Sequence, residues 1–557
     1  MRVQDEIDKI GFYKFNFLSD QKINTLKTLF ESELNSMQND GLAVSHNQGS
    51  AEMNITISKK IHEVIAPEIE EAFPSFDFFI SHYVVKKAGN EQDFQLHQDW
   101  NIVDEQKYRS YQIWIPLELS YPENGGMCFI PRSHTFEQNY RSGSLSIPRI
   151  SIDEEVYPYL SYARLFPGEA MGFSNNLYHG SFSNATPKDR VSVLVNIVEK
   201  GAKTLYYHQS GKDVFAYPIS DRELFTHLNQ LEKGLLPFTT SPTESFKLSQ
   251  KLNETLGQSD LVTFIKKDRK SLGLELDYEF KQYNIVKNNN LEEQINKEGY
   301  AIIDLLTPKE IDIILKGFDK YIPNRLQYTG RYSSMDSQPV SKWKEVHRFI
   351  QDSINERLKL FFKDYYSPIS ILYSKRADEI SDTDWHSDPS FLFNQHLEPI
   401  YGVWCPLVDC NNENGVFNIV PYSHRFVHNI SHPSLKWSLN KYRRNLDALE
   451  VTFNLKAGQA IVFDGRLIHC SRANMSSEER DCFIARVHHK NSKYFSVFAG
   501  DDEQNKVKVF KQDEDYFYND SVVNHHQEPS TGKEAGTMYI FEEKLSSRLK
   551  KILSQPQ

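Results

Sequence analysis

Leu96-His97-Gln98-Asp99-Trp100 returns later in the chain as Trp385-His386-Ser387-Asp388-Pro389. The residues downstream of each stretch repeat as well. His97 is succeeded by a histidine 82 residues on, His179, and by Arg190 eleven residues after that; His386 is succeeded 83 residues on by His469, and again eleven residues later by Arg480. The register extends well beyond these residues. Trp114 corresponds to Trp404, Asn124-Gly125 to Asn414-Gly415, Pro131 to Pro421, Ser133-His134 to Ser423-His424, Gly168 to Gly458 and Phe173 to Phe463, all at an offset of 290. Gly11-Phe12 matches Gly299-Tyr300 at 288, and Asp221 with Phe225 matches Asp513 with Phe517 at 292. A period this long exceeds the roughly 20–50 residues of a solenoid unit. It marks a duplicated domain, with the expected units 1–280 and 281–557 and a linker near 268–293.

Composition fits two globular units. Aromatic residues make up 13% of the 557 and supply core material, and the net charge of −11 is made of mixed signs. That balance argues against nucleic acid or an anionic membrane surface as the main partner. No stretch approaches the 18 or more apolar residues of a membrane span, so the expectation is no membrane partner and a cytoplasmic location. The five cysteines, Cys128, Cys405, Cys410, Cys470 and Cys482, form no CxxC pair and read as reduced, buried thiols. The oligomeric state is not written in the sequence.

The local patterns are mostly those of strands. Tyr111–Leu119, Tyr401–Val408 and Val191–Val198 are short, β-branched and aromatic runs bounded by Gly, Asn and Pro. Each copy opens with an apolar strand and a capped helix: Ser19 ahead of an Ile23, Leu26, Phe30 stripe, and Thr307-Pro308-Lys309-Glu310, a capping box with proline at the first helical position. Few helices are expected after that opening. The fold class is therefore mainly β with flanking helices, as two tandem double-stranded β-helix domains of the jelly-roll, cupin-like kind.

On a strand, alternate residues share a face, so His97 and Asp99, and likewise His386 and Asp388, are expected to project together. With His179 and His469 they make two sets of two histidines and one carboxylate. That donor set on one face of an octahedral ion leaves positions open for other ligands and describes a non-haem Fe(II) oxygenase site. Arg190 and Arg480 each begin a following strand, placed to grip a carboxylate through a forked pair of hydrogen bonds.

These residues resemble the phytanoyl-CoA dioxygenase family of Fe(II)/2-oxoglutarate oxygenases. The likeness is carried by LHQDW (96–100), NGGMCFIPRSH (124–134), HGS (179–181) and Arg190, and in the second copy by WHSD, NGVFNIVPYSH, HCS and Arg480. It implies that His97, Asp99, His179 and, separately, His386, Asp388, His469 bind Fe(2+). It implies further that Arg190 with Ser181, and Arg480 with Ser471, hold the far carboxylate of 2-oxoglutarate, with Trp114 and Trp404 close by. The implied reaction consumes O2 and 2-oxoglutarate, releases succinate and CO2, and hydroxylates an unactivated carbon of a small-molecule substrate. Halogenation is disfavoured, because related halogenases lack the ligand carboxylate that Asp99 and Asp388 supply. The family's usual P-G-S-H reads PRSH and PYSH here, so Arg132 and Tyr422 are expected to alter a turn.

Other residues read as structural. His134 and His424 sit in turns without partners at ligand spacing, while His488-His489 and His525-His526 are tandem pairs expected at the surface or rim. The two pockets differ at Trp100 against Pro389 and at Asn196 against Arg486. Arg486 fits either an anionic substrate group or a salt bridge to a neighbouring acid. Substrate contacts are expected on the loops about 37–56, 135–165, 325–342 and 425–450. Two alternatives stand beside two oxygenase sites: one active domain with a metal-retaining scaffold, or a cupin-like binding protein.

Overall fold

The computed structural model describes residues 3–540 apart from 35–36, 38–40, 137–139, 146, 163, 238–241, 243, 248–256, 275–277, 324–326, 338, 426–429, 436, 438, 500–505 and 524–526. Its contacts divide the chain into two compact units, Met1–Phe280 and Lys281–Gln557.

In the first unit the strands are β1 (Phe12–Asn16), β2 (Leu42–Val44), β3 (Phe76–Lys86), β4 (Phe94–His97), β5 (Ser110–Pro116), β6 (Met127–Phe129), β7 (Ser161–Tyr162), β8 (Glu169–Ser174), β9 (His179–Ser181) and β10 (Arg190–Glu199). They form a major sheet in the order β1-β8-β5-β10-β3-β2 and a minor sheet β4-β9-β6-β7. A further hairpin with an added strand, β11 (Leu205–Ser210), β12 (Asp213–Pro218) and β13 (Glu244–Lys247), comes after them.

The second unit repeats the plan with β14 (Tyr300–Asp304), β15 (Arg331–Ser333), β16 (Tyr365–Tyr366), β17 (Ser370–Lys375), β18 (Thr383–His386), β19 (Tyr401–Pro406), β20 (Phe417–Ile419), β21 (Gln459–Asp464), β22 (His469–Ser471) and β23 (Arg480–His489). Its major sheet runs β14-β21-β19-β23-β17-β15, with β16 on β23, and its minor sheet β18-β22-β20. β24 (Tyr494–Phe498), β25 (Lys506–Gln512) and β26 (Lys533–Tyr539) form a separate sheet. Each unit is thus a strand-rich double-stranded β-helix.

Helices are more prominent than the sequence patterns suggest. Two 22-residue helices, Ala51–Ala72 and Val340–Phe361, lie beyond the opening segments. The first is capped by Ser50, which accepts from the Met53 amide, and it buries Ile57, Ile61, Ile65 and Ile69 at four-residue spacing. That stripe packs on Tyr83, Val85, Ile113, Ile115, Val193, Val195 and Ile197, the outward face of the major sheet; each such isoleucine contributes about 1.5–3 kcal/mol. Val346, Ile350, Ile354 and Leu358 do the same against Val403, Cys405, Phe483, Ala485 and Val487. With one sheet face covered by a helix, the residues between those apolar positions point the other way, and that inward face carries the polar groups of the site.

The expected capping box is formed: Thr307 Oγ1 and its amide both donate to Glu310. Each copy has an additional helix ahead of its first strand, Val3–Ile10 and Asn289–Glu298. The linker is shorter than the expected 268–293, since Gln258–Ser271 and Asn289–Glu298 are helical. Arg132 and Tyr422 both take the left-handed conformation, φ 65°, which accounts for a glycine being the usual residue at this turn. All five cysteines are free and buried. Among the described residues, no helix is long and apolar enough to cross a membrane.

Candidate metal centres

The strand register brings the separated histidines together. His97 on β4 pairs directly with His179 on β9, and His386 on β18 with His469 on β22. Their ring centres lie 4.5 Å and 4.2 Å apart. The carboxylates do not share the strand, as simple alternation would require: β4 ends at His97 and β18 at His386. Asp99 and Asp388 lie just past those ends, held by hydrogen bonds from their amides to the carbonyls of Asn175 and Gly465. Gln98 turns away and donates to the Asn176 carbonyl. The result still converges, because in each half one donor atom from each of the three side chains lies within 4.8 Å of the others. His97 Nε2 is 3.8 Å from Asp99 Oδ1, and His179 Nε2 is 3.6 Å from Asp99 Oδ2; His469 Nε2 is 3.8 Å from Asp388 Oδ1.

All four histidines are oriented alike. Nδ1 meets a backbone carbonyl two residues back: Gln95 for His97 (2.9 Å), Leu177 for His179 (3.0 Å), Asp384 for His386 (2.7 Å) and Leu467 for His469 (2.8 Å). A carbonyl only accepts, so Nδ1 carries the proton and the Nε2 lone pair faces its partners, the arrangement that metal-binding histidines require. Burial, with His179 beside it, lowers His97 to about 4; burial lowers His386 as well, and His469 well below the usual value. Neutral imidazoles facing a carboxylate form a donor set that fits a ferrous ion. Asp388 Oδ2 is moreover buried with no partner among the described residues.

A few residues away along the inward face, each half buries an arginine and a lysine side by side. Arg190 pairs across the ladder with Lys86, and Arg480 with Lys375. Arg190 donates to Ser192 Oγ (3.0 Å) and to the Gly125 carbonyl (2.9 Å), and its guanidinium lies 5.0 Å from the centre of the Trp114 ring. Arg480 donates to Cys482 Sγ (2.9 Å) and lies 5.2 Å from Trp404. Trp114 and Trp404 are thus both core residues and the surfaces on which the guanidiniums rest. The Nε atoms of both arginines are buried and without a partner among the described residues. Lys86 Nζ donates to Ser181 Oγ at 3.3 Å, while Lys375 Nζ donates to the carbonyls of Ser471 and Arg472, each at 2.6 Å. Ser471 Oγ itself donates to the Gly415 carbonyl (2.8 Å). Burial and the neighbouring arginine lower Lys86 to about 8 and Lys375 to about 6, and burial lowers Arg190 to about 10. Charged together without a carboxylate partner among the described residues, the arginine and lysine are unfavourable alone, which is why the lysines are lowered, and they suit a dianion. The motif spacing does not single out the lysines, although Lys86 and Lys375 repeat at an offset of 289.

The remaining histidines fall mostly as expected. His134 and His424 bind the carbonyls of Asp8 (2.9 Å) and Asn296 (3.0 Å) and stay in their turns. His488 is a correction: it is buried, its Nε2 on the Tyr494 hydroxyl at 2.8 Å. His489 stacks on Tyr283, and His525-His526 lie outside the described residues. Arg486 forms a salt bridge with Asp388, a neighbouring acid being the second of its two expected partners.

The phytanoyl-CoA dioxygenase (PhyH) family model matches residues 5–192 and again 295–482. The chain belongs to the phytanoyl-CoA dioxygenase family. It carries the family's domain twice, and the two His-Asp-His groups give this Fe(II)/2-oxoglutarate oxygenase relative two possible active sites. A curated relative, phytanoyl-CoA dioxygenase domain-containing protein 1 of Danio rerio, is 30% identical over 112 residues, a stretch spanning 18% of this chain and 38% of that protein. Among solved structures, the epimerase SnoN in complex with Fe3+, alpha ketoglutarate and nogalamycin RO is 19% identical, covering 37% of this chain and 84% of its own, with a TM-score of 0.29. The non-heme monooxygenase ThoJ–Ni complex is 14% identical over 49% of this chain and 98% of its own, with a TM-score of 0.29.

Proposed function

We propose that residues 1–280 and 281–557 are two oxygenase domains, each binding Fe(II) and 2-oxoglutarate and each hydroxylating an unactivated carbon of a small organic substrate. The observation that carries this reading is the pairing, in both halves, of a His-Asp-His group whose histidines present Nε2 with a buried Arg/Lys pair lacking a carboxylate partner among the described residues. When bound, iron with 2-oxoglutarate and O2 supplies the oxidising equivalents, with succinate and CO2 as by-products. The protein's own work is positioning. His97, Asp99, His179 and His386, Asp388, His469 hold the metal; Arg190 with Lys86 and Ser181, and Arg480 with Lys375 and Ser471, hold the distal carboxylate; Trp114 and Trp404 fix the guanidiniums and keep water out.

The two inward faces differ where a substrate would lie. In the first, Gln112 stands opposite Asn196 and His82 opposite Leu194. Gln112 Oε1, Asn196 Oδ1 and His82 Nδ1 are buried without partners among the described residues, and the His82 ring lies tilted against His46, centres 4.3 Å apart. Such a strip suits an uncharged, hydrogen-bonding substrate. The second has Gly402, Arg486 and Ile371 at the corresponding positions. Different faces favour two substrates or two successive oxidations. The test is succinate release from 2-oxoglutarate with Fe(II), then product analysis with Asp99→Ala and Asp388→Ala, each supplied with substrate and with the singly oxidised intermediate. Each variant is expected to lose one oxidation and retain the other; loss of all turnover in either, with folding and the other site's iron intact, would refute two independent domains.

A further inference from the structure

Arg486 occupies the position of Asn196 and reaches the carboxylate of its own centre. Its Nη2 donates to Asp388 Oδ1 at 2.6 Å, and its guanidinium lies 5.6 Å from the centre of the Phe463 ring. Gly402 makes room for that ring, since a Cβ there would stand 2.2 Å from it. Asp388 Oδ2 is left buried and unpartnered. In the first half the corresponding carboxylate receives a neutral donor instead, Gln112 Nε2 on Asp99 Oδ2 at 2.6 Å. The two centres therefore offer the same three donor groups and differ by one positive charge in contact with the carboxylate.

We propose that Arg486 is a positioning residue that sets the charge of the second centre: it holds Oδ1 of Asp388, the oxygen 3.8 Å from His469 Nε2, and by setting its charge against the ligating carboxylate makes this centre the weaker of the two for a divalent cation. The inference rests on the reading that both His-Asp-His groups bind metal. Partners of a ligating carboxylate change metal affinity by about 10- to 100-fold. Here two effects compete, since the hydrogen bond orients Asp388 whereas the guanidinium charge repels the cation. The pair is well buried, with Arg486 13% and Asp388 6% exposed, so water screens the repulsion little. In the first half the Gln112 amide orients Asp99 without opposing the metal. Charge is therefore the term that separates the centres.

Cobalt(II) titration of the full chain, read by visible absorption and calorimetry, tests this without turnover. Asp99→Ala leaves the second centre to be measured, and Asp388→Ala the first. The second is expected to bind cobalt about tenfold or more weakly than the first. On the Asp99→Ala background, Arg486→Gln, which keeps a donor and removes the charge, should tighten binding about tenfold, whereas Arg486→Lys should leave it weak. Equal affinities at the two centres, or Arg486→Gln binding no more tightly than Arg486, overturns the proposal. If neither aspartate variant lowers the cobalt stoichiometry, the metal reading itself falls, an outcome distinct from both.

Discussion

Lys375 is fully buried, and burial together with Arg480 brings it from the usual 10.5 to about 6. Its replacement by methionine should therefore stabilise the protein at neutral pH. A lysine losing its proton at about 6 has its charged form opposed by about 6 kcal/mol. At pH 7.5 the buried amine is already neutral, and the cost to folding is that of deprotonating a free lysine at that pH, about 4 kcal/mol. Against this stand the hydrogen bonds to the Ser471 and Arg472 carbonyls, worth about 1 kcal/mol each. Lys375→Met should thus gain about 2 kcal/mol at pH 7.5. The folded protein binds fewer protons at this site than the unfolded chain between about 6 and 10.5, so the stability of the unsubstituted protein rises with pH across that window. The advantage of methionine should grow to about 3 kcal/mol at pH 6.5 and vanish near pH 9. Urea unfolding of both proteins at pH 6.5, 7.5 and 9 measures it. An advantage that does not fall with pH, or a loss at pH 6.5, would refute the reasoning. Calorimetry on the same variant should show 2-oxoglutarate bound about tenfold more weakly in the second half, because the amine, neutral in the empty pocket, gains its proton when the dianion arrives, and methionine cannot.

Arg190→Leu and Arg480→Leu should each weaken 2-oxoglutarate use by the half that carries it by about 2–5 kcal/mol, read as the cosubstrate KM for succinate release; unchanged dependence in both variants would displace the pocket. Because His97 is held near 4, protons compete poorly for its Nε2, and cobalt on the Asp388→Ala variant should remain bound at pH 6; release with a midpoint at about 6.5, the value of a free histidine, would contradict this. Tyr422 is 45% exposed at φ 65°, so Tyr422→Gly should relieve strain and stabilise by about 0.5–1 kcal/mol in denaturant unfolding. Arg132→Gly should show no such gain, since it also breaks the fork from Arg132 to Asp268, whose Nη2–Oδ1 distance is 3.0 Å.

Legibility in the sequence depends on what constrains each feature. Metal donors are few in kind, and the fold separates them by nearly constant lengths, so His97, Asp99, His179 and their counterparts stand out twice over. The buried lysines do not stand out because a lysine in a sequence is ordinarily solvated; only the register of β3 with β10 and of β17 with β23 shows Lys86 and Lys375 beside arginines. The helix at Ala51–Ala72 is within reach through Ser50 and the four-residue spacing of its isoleucines, but the strand patterns on either side outweigh it. Strand alternation places Asp99 in the right group for an incomplete reason, since convergence comes from its amide bond to Asn175. The inward direction of Arg486 can be inferred from the strand, whereas its choice of Asp388, 98 residues away, requires the folded chain.

The ring of Phe463 over the bare backbone of Gly402 has a consequence for interchange between the two copies. With the aromatic ring settled where a Cβ would stand 2.2 Å away, the glutamine of the sister copy cannot enter position 402 unless Phe463 withdraws, and that withdrawal would leave Arg486 without the ring beneath it. Glycine to glutamine alone therefore meets a clash, although in the sister copy Gln112 stands opposite the matching Phe173. The difference between the faces is thus tied to three positions at once: Gly402, Arg486 and the placement of the Phe463 ring have to change together for the second face to take the form of the first.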